Sequence, residues 1–171
     1  MNKKLSVALL TLLAPVVVLT HVSWSQKDNG LMFNVDGRDV DFVGVIKDKW
    51  RITTNTCKTV TELESEDPKL RMIKAAIQSF SPPDSIPIKV IHVWTSGTWG
   101  VAEVEFENLL PAVVTVKNLD TNAILVNDAI WSGMTSPWKS GPFIRAYLGQ
   151  KSKDIPEALL SCFELQTASF K

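Results

Sequence analysis

His92 and Glu103 are the residues whose types and spacing come nearest to chemistry in this chain. His92 sits in the alternating segment Val90-Ile91-His92-Val93-Trp94-Thr95, and Glu103 in Trp99-Gly100-Val101-Ala102-Glu103-Val104, with Ser96-Gly97 between them. Read as a two-residue turn, Ser96-Gly97 sets Trp94 opposite Trp99, His92 opposite Val101 and Val90 opposite Glu103, so Glu103 lies diagonal to His92. A histidine oriented by a carboxylate and walled by two indoles is suited to general acid or base work near neutral pH. The same residues also describe an inert surface, because Glu103, Glu105 and Glu107 alternate as on a solvated strand and facing tryptophans stabilise hairpins without any chemistry.

The other patterns that invite a mechanism fail on spacing. Ser136-Pro137-Trp138-Lys139 matches Ser-x-x-Lys, and Lys139-Ser140-Gly141 resembles the Lys-Thr-Gly of serine penicillin-recognising enzymes. In that chemistry the first pair lies one helical turn apart and the triplet lies on a distant strand; here both share one lysine in a loop rich in Pro and Gly. No Gly-x-Ser-x-Gly or phosphate-cradling Gly-x-x-x-x-Gly-Lys occurs, and no Cys-x-x-Cys or His-Glu-x-x-His spacing offers a metal its ligands. The sequence therefore implies no metal and no cofactor, and a catalytic role is less well supported than binding.

Tryptophan is the unusual feature. Trp50, Trp94, Trp99, Trp131 and Trp138 follow the first 25 residues, against a single Tyr147. Indoles anchor protein interfaces and ligand clefts, and they also fill cores. Trp50 and Trp131 are expected to pack in the core. Trp138, with Lys139, lies in Met134–Pro142, a stretch without periodicity that reads as an irregular surface loop, where binding residues collect. Trp138, Lys139, Trp94 and Trp99 are thus the candidate binding residues, for another protein or a small apolar ligand.

The elements that must position these residues begin after an export signal. Lys3 and Lys4 precede an apolar run from Leu5 to Leu19, and Ser23-Trp24-Ser25 places small residues where a signal peptidase reads, which predicts a cleaved segment 1–25 and a mature domain 26–171. The competing reading is a retained anchor, since no charged residue occurs between Leu5 and Gln26. The mature part carries 16 basic and 18 acidic side chains, which gives nucleic acid no electrostatic footprint. Its composition is that of one globular domain, with no repeat and no linker to mark a second. Cys57 and Cys162 are expected to form a disulfide in the oxidising periplasm or outside the cell.

Within the mature domain, Leu31 to Val45 reads as a hairpin about Asp36-Gly37, and Trp50 to Thr56 as a third strand leading to Cys57. Asp67-Pro68 caps a helix whose Leu70, Ile73, Ile77 and Phe80 share one face and which Ser81-Pro82-Pro83 ends. Four strands follow, Ile86–Thr95, Thr98–Glu107, Ala112–Lys117 and Ala123–Trp131, and Ile91, Val93, Ala102, Val104 and Phe106 mark their core face. Gly141–Gly149 and Asp154–Leu165 read as short helices. The fold class is α+β, a curved antiparallel meander packed by one main helix with short C-terminal helices. In element order it is similar in outline to the cystatin-like and nuclear-transport-factor-like folds, which host inhibitors, binding modules and enzymes alike, so fold does not choose function. The leading expectation is an exported, non-enzymatic binding protein of inhibitor or immunity type. The alternatives are a small hydrolase or isomerase using His92 and Glu103, and an envelope structural component.

Overall fold

The computed structural model describes residues 20–27, 29–55, 57–83, 87–167 and 170 of the 171. The apolar run from Leu5 to Leu19 lies outside the described residues. Those described form an α+β fold of two antiparallel sheets and four helices.

The larger sheet is the expected meander with one added edge. Its strands are β4 (Thr61–Glu62), β5 (Ile88–Ser96), β6 (Trp99–Phe106), β7 (Ala112–Lys117) and β8 (Ile124–Ser132), neighbours in that order. The β5–β6 turn is Gly97-Thr98, one residue later than Ser96-Gly97, because Gly97 takes a φ of +58° at the first central position, where hairpins of the II′ kind accept glycine. Ser96 consequently faces Trp99, Trp94 faces Val101 and His92 faces Glu103 directly. A bulge between Val90 and His92 corrects a second expectation. Val90, opposite Val104, packs against the core face in place of Ile91, since the extra residue reverses which side chains point inward.

Both faces of this sheet are covered. On one lies α2 (Pro68–Phe80), begun by Asp67, whose carboxylate accepts the Lys69 amide at 2.8 Å, with Pro68 at the first helical position as the sequence predicts. Its Ile73 and Ile77 are buried against Val93, Ala102, Val104, Val114 and Val116. On the other face lie α3 (Ser140–Lys151) and α4 (Glu157–Cys162), whose Ile144, Leu148 and Leu159 pack with Trp94, Val101, Val113 and Phe163. The sequence reading leaves this second face half-open; long-range packing of two short helices closes it.

The N-terminal part departs most from expectation. A three-stranded sheet of β1 (Val22–Lys27), β2 (Gly30–Val35) and β3 (Arg38–Val40) contains the expected primed turn, with Asp36 and Gly37 at φ of +49° and +81°. β1 pairs with β2 over all six residues, from Val22 with Val35 to Lys27 with Gly30, so the expected cleavage bond after Ser25 lies within a strand. Phe42 and Val45 do not continue the hairpin, and Trp50 to Thr54 is not strand: Phe42–Thr54 is a helix, α1. Asp41 caps it, accepting the Gly44 amide at 2.7 Å. That cap and the tertiary partners of Asp48 and Arg51 override the strand preference of Val43, Val45 and Ile52.

Cys57, three residues past the end of α1, is bonded to Cys162 at the end of α4, with Cα atoms 5.6 Å apart. The bond closes a loop of 105 residues and ties the α1 side of the molecule to the last helix. In the chain-entropy picture such a loop contributes about 4 to 5 kcal/mol by restricting the unfolded chain. Urea unfolding with and without reductant should therefore show a loss of stability of about 3 to 5 kcal/mol on reduction, without loss of β-sheet signal in the folded fraction.

Candidate functional site

His92 and Glu103 are cross-strand partners on one face, yet each is engaged elsewhere. The His92 ring stacks on Trp94 with centroids 5.7 Å apart, and its Nδ1 is hydrogen-bonded to Glu62 Oε1 on the edge strand β4. The His92 and Glu62 side chains remain 28% and 42% exposed, so the pair sits at the rim of the sheet in contact with water. Glu103 is fully buried. Its Oε1 accepts the Thr167 amide at 3.0 Å and the Thr167 hydroxyl at 2.6 Å, and its Oε2 accepts the Gln166 amide at 3.1 Å. Three donors compensate the burial of this carboxylate, and they turn it into the clamp that holds the C-terminal segment to β6. The sequence missed both partners because Glu62 and Gln166-Thr167 lie 30 and 63 to 64 residues away along the chain.

The tryptophans divide between core and surface differently from expectation. Trp94 is 5% exposed and meets Phe163 at 6.0 Å, inside the layer formed by α3 and α4. Trp99 is half-buried at the edge of that layer, and Trp131 is half-buried with Phe143 and Tyr147 edge-on to its ring at 5.0 and 5.2 Å. Trp138 lies in an irregular loop, as expected, but its indole turns inward: it stacks on Phe143 at 6.3 Å and reaches Gly30 of β2. The Lys139 amide donates to Asp41 Oδ2 at 3.0 Å, so the loop is latched to the start of α1. Gly44 makes that latch possible, because a Cβ there would collide with the Asp41 carboxylate and the Lys139 side chain. The Lys139 side chain itself borders a cavity of about 200 Å³ beside Arg51 and Arg145.

Trp50, expected in the core, is 71% exposed, which corrects that expectation. The cause is an inverted helix. The residues α1 turns inward are Val43, Gly44, Asp48 and Arg51, and those it turns outward include Phe42, Val45, Ile46 and Trp50. Asp48 Oδ1 accepts Arg145 Nη2 at 2.5 Å and Arg51 Nη2 at 3.2 Å, while Arg145 Nη1 donates to the Phe163 carbonyl and Arg51 Nη1 to the Ser161 carbonyl. Burial, and then the neighbouring Arg51 charge, push the Arg145 guanidinium down to about 10, which still leaves it charged at neutral pH. The Asp48–Arg145 pair joins α1 to α3, and the Arg51 and Arg145 bonds to the Ser161 and Phe163 carbonyls join both helices to the C-terminal segment.

A further concavity is mostly apolar. A cavity of about 330 Å³ opens between the C-terminal end of α2 and the β6–β7 connection. Ile77, Phe80, Phe106, Leu109, Leu110 and Ile130 form its walls, and Ser81 and Ser132 contribute the polar side chains. Phe80, Leu109 and Leu110 are exposed at its mouth. The sequence signals were the end of the α2 stripe at Phe80 and the apolar pair Leu109-Leu110 in a turn, but only the register brings them together. Among the described residues no cluster of three metal-ligating side chains occurs. Compared with known protein families, curated proteins and solved structures, the chain matches none.

The assignments of Glu103 and Trp138 as packing residues have direct consequences. Glu103→Ala strands the donors of Gln166 and Thr167 and should cost about 3 kcal/mol of stability, with faster hydrogen exchange confined first to residues 163–167. Trp138→Ala should cost about 2 to 3 kcal/mol in the same urea titration.

Proposed function

We propose that this chain is an exported, non-enzymatic binding protein, working in the periplasm or outside the cell, that receives an apolar part of another protein in the groove at the end of α2. The observation that carries the reading is the groove itself: about 330 Å³, walled by Ile77, Phe80, Phe106 and Ile130, with exposed Leu109 and Leu110 at its rim. Monomeric proteins seldom leave such a concentration of apolar side chains around a concavity unless something occupies it. Apolar walls with few polar groups favour a hydrophobic anchor residue of a partner, the usual centre of an interface. The size of the domain, its disulfide and the export signal suit an inhibitor or immunity-type protein that neutralises an enzyme by occupation.

A hydrolase or isomerase using His92 and Glu103 receives less support. Glu103 cannot orient the imidazole, because its oxygens accept from Gln166 and Thr167; the carboxylate on His92 Nδ1 is Glu62. The His92–Glu62 pair lies on the open rim of the sheet, stacked on Trp94 and partly exposed to water, which favours a surface pair over an enclosed catalytic dyad. A small apolar ligand in the α2 groove is the second reading, favoured by the groove's volume.

Leu110→Glu and Phe80→Glu test the assignment, because both side chains are exposed and their replacement leaves the core intact. Each should weaken binding of an anilinonaphthalene sulfonate probe by about tenfold or more, equivalent to about 1.4 kcal/mol, while the urea midpoint stays near wild type. A protein that is captured by the wild type and lost with both variants identifies the partner class. Retained probe binding in both variants overturns the groove as the site.

A further inference from the structure

We propose that the domain lies on an anionic lipid bilayer through the outer face of α1 together with Trp24 of β1. This surface lies across the larger sheet from the α2 groove, since α1 packs on α3 and β2, and the inference stands independently of the groove.

The first observation is the reversal of α1. A helix on the surface of a domain in water turns its apolar stripe to the core, and α1 does the opposite. Phe42 and Ile46 are 56% and 58% exposed, and with Val45 and Trp50 they follow the spacing of one helical face. The acidic residue of the helix, Asp48, is spent inward on Arg51 and Arg145, while Lys47 and Lys49 are exposed beside the apolar face. The outward charge of the helix is thus positive. Apolar and indole side chains flanked by lysines are the pattern of a helix lying in the interface of an anionic bilayer.

The second observation is continuity with β1. Trp24 is 68% exposed and pairs across the strands with Phe33, whose ring meets Phe42 at 5.9 Å. The exposed apolar surface therefore runs from β1 on to α1. It begins where the apolar run of the sequence ends.

The third observation is that the folded domain includes the residues just after that stretch. The Asp36 amide donates to the His21 carbonyl at 3.0 Å, and His21 Nδ1 pairs with Asp36 Oδ1 at 2.5 Å. Cleavage after Ser25 would remove Trp24 and four of the six residue pairs that hold β1 to β2. Retention of residues 22–25 keeps β1 whole and keeps Trp24 on the exposed surface with Phe42 and Trp50, residues of the kind that settle in a bilayer interface.

The test uses the full chain, recovered from the membrane fraction and reconstituted in vesicles of phosphatidylcholine and phosphatidylglycerol, with brominated lipid as a quencher of tryptophan fluorescence. Trp24 and Trp50 are the exposed indoles, so bromolipid should quench the wild type strongly and a Trp24→Phe, Trp50→Phe double variant by severalfold less, with both proteins equally stable in urea. Intact mass should show residues 22–25 still attached. A mature chain beginning at Gln26 overturns the proposal, as does equal quenching of wild type and double variant. A dimer that buries these indoles and leaves the wild type unquenched overturns it in favour of a second copy of the chain.

Discussion

Strands β6 and β7 are buried on both of their faces, and most of the molecule follows from that constraint. Val101, Ala102, Glu103 and Val104 are consecutive and all buried, as are Ala112 through Val116, so neither face of the central sheet can be left to water. An antiparallel meander usually solvates one face and shows it as strict alternation. Here near-continuous apolar strands require a helical layer on each side, which α2 supplies on one and α3 with α4 on the other. A polar residue caught in such a strand must find its partners inside the protein, and Glu103 does so by drawing Gln166 and Thr167 onto β6. The sheet interior is thereby committed to packing.

The outer part of the molecule is attached by different physics. α1 contributes only Val43 to an apolar inner face, so its position rests mainly on the Asp41 latch, the close approach at Gly44, the Asp48 carboxylate shared by two arginines, and the disulfide beyond its end. Partly buried ion pairs add little net stability but fix geometry, since removing one partner leaves the other charge uncompensated. The Cys57–Cys162 bond then does what hydrophobic burial does elsewhere: it keeps α1 beside α4 irrespective of how much apolar surface the helix leaves outside.

How much of this was legible in the sequence depended on how local the determining physics is. The α2 cap at Asp67-Pro68, its apolar stripe, the primed turn at Asp36-Gly37 and the span of β7 are written in neighbouring residues, and the structure has them where the sequence places them. The disulfide followed from counting thiols. The β5–β6 turn was displaced by one residue because either Ser96-Gly97 or Gly97-Thr98 satisfies turn chemistry, and the bulge at Ile91 has no local signature. α1 was illegible for a stronger reason. Its β-branched and aromatic residues carry strand propensity, and its apolar stripe faces away from the core that a periodicity argument assumes it must cover. For the candidate site, the facing of His92 and Glu103 was foreseen approximately, but the long-range donors that decide what Glu103 does were not.

The same failure marks the surfaces that the fold alone does not explain. Where local preference and global packing agree, a residue's role is explained by the fold; where they disagree, something outside the fold is needed to account for it. Phe80, Leu109 and Leu110 close the α2 stripe without being covered, and Phe42, Ile46 and Trp50 form a stripe on the wrong side of its helix. Both sets are exposed although water disfavours them, by roughly 1.5 to 3 kcal/mol for each large apolar side chain that burial would cover. They lie on opposite sides of a sheet whose interior is fully occupied. Such a division suits a domain that meets a surface with one side while holding the other free for a partner, and it asks nothing of the sheet between them except rigidity.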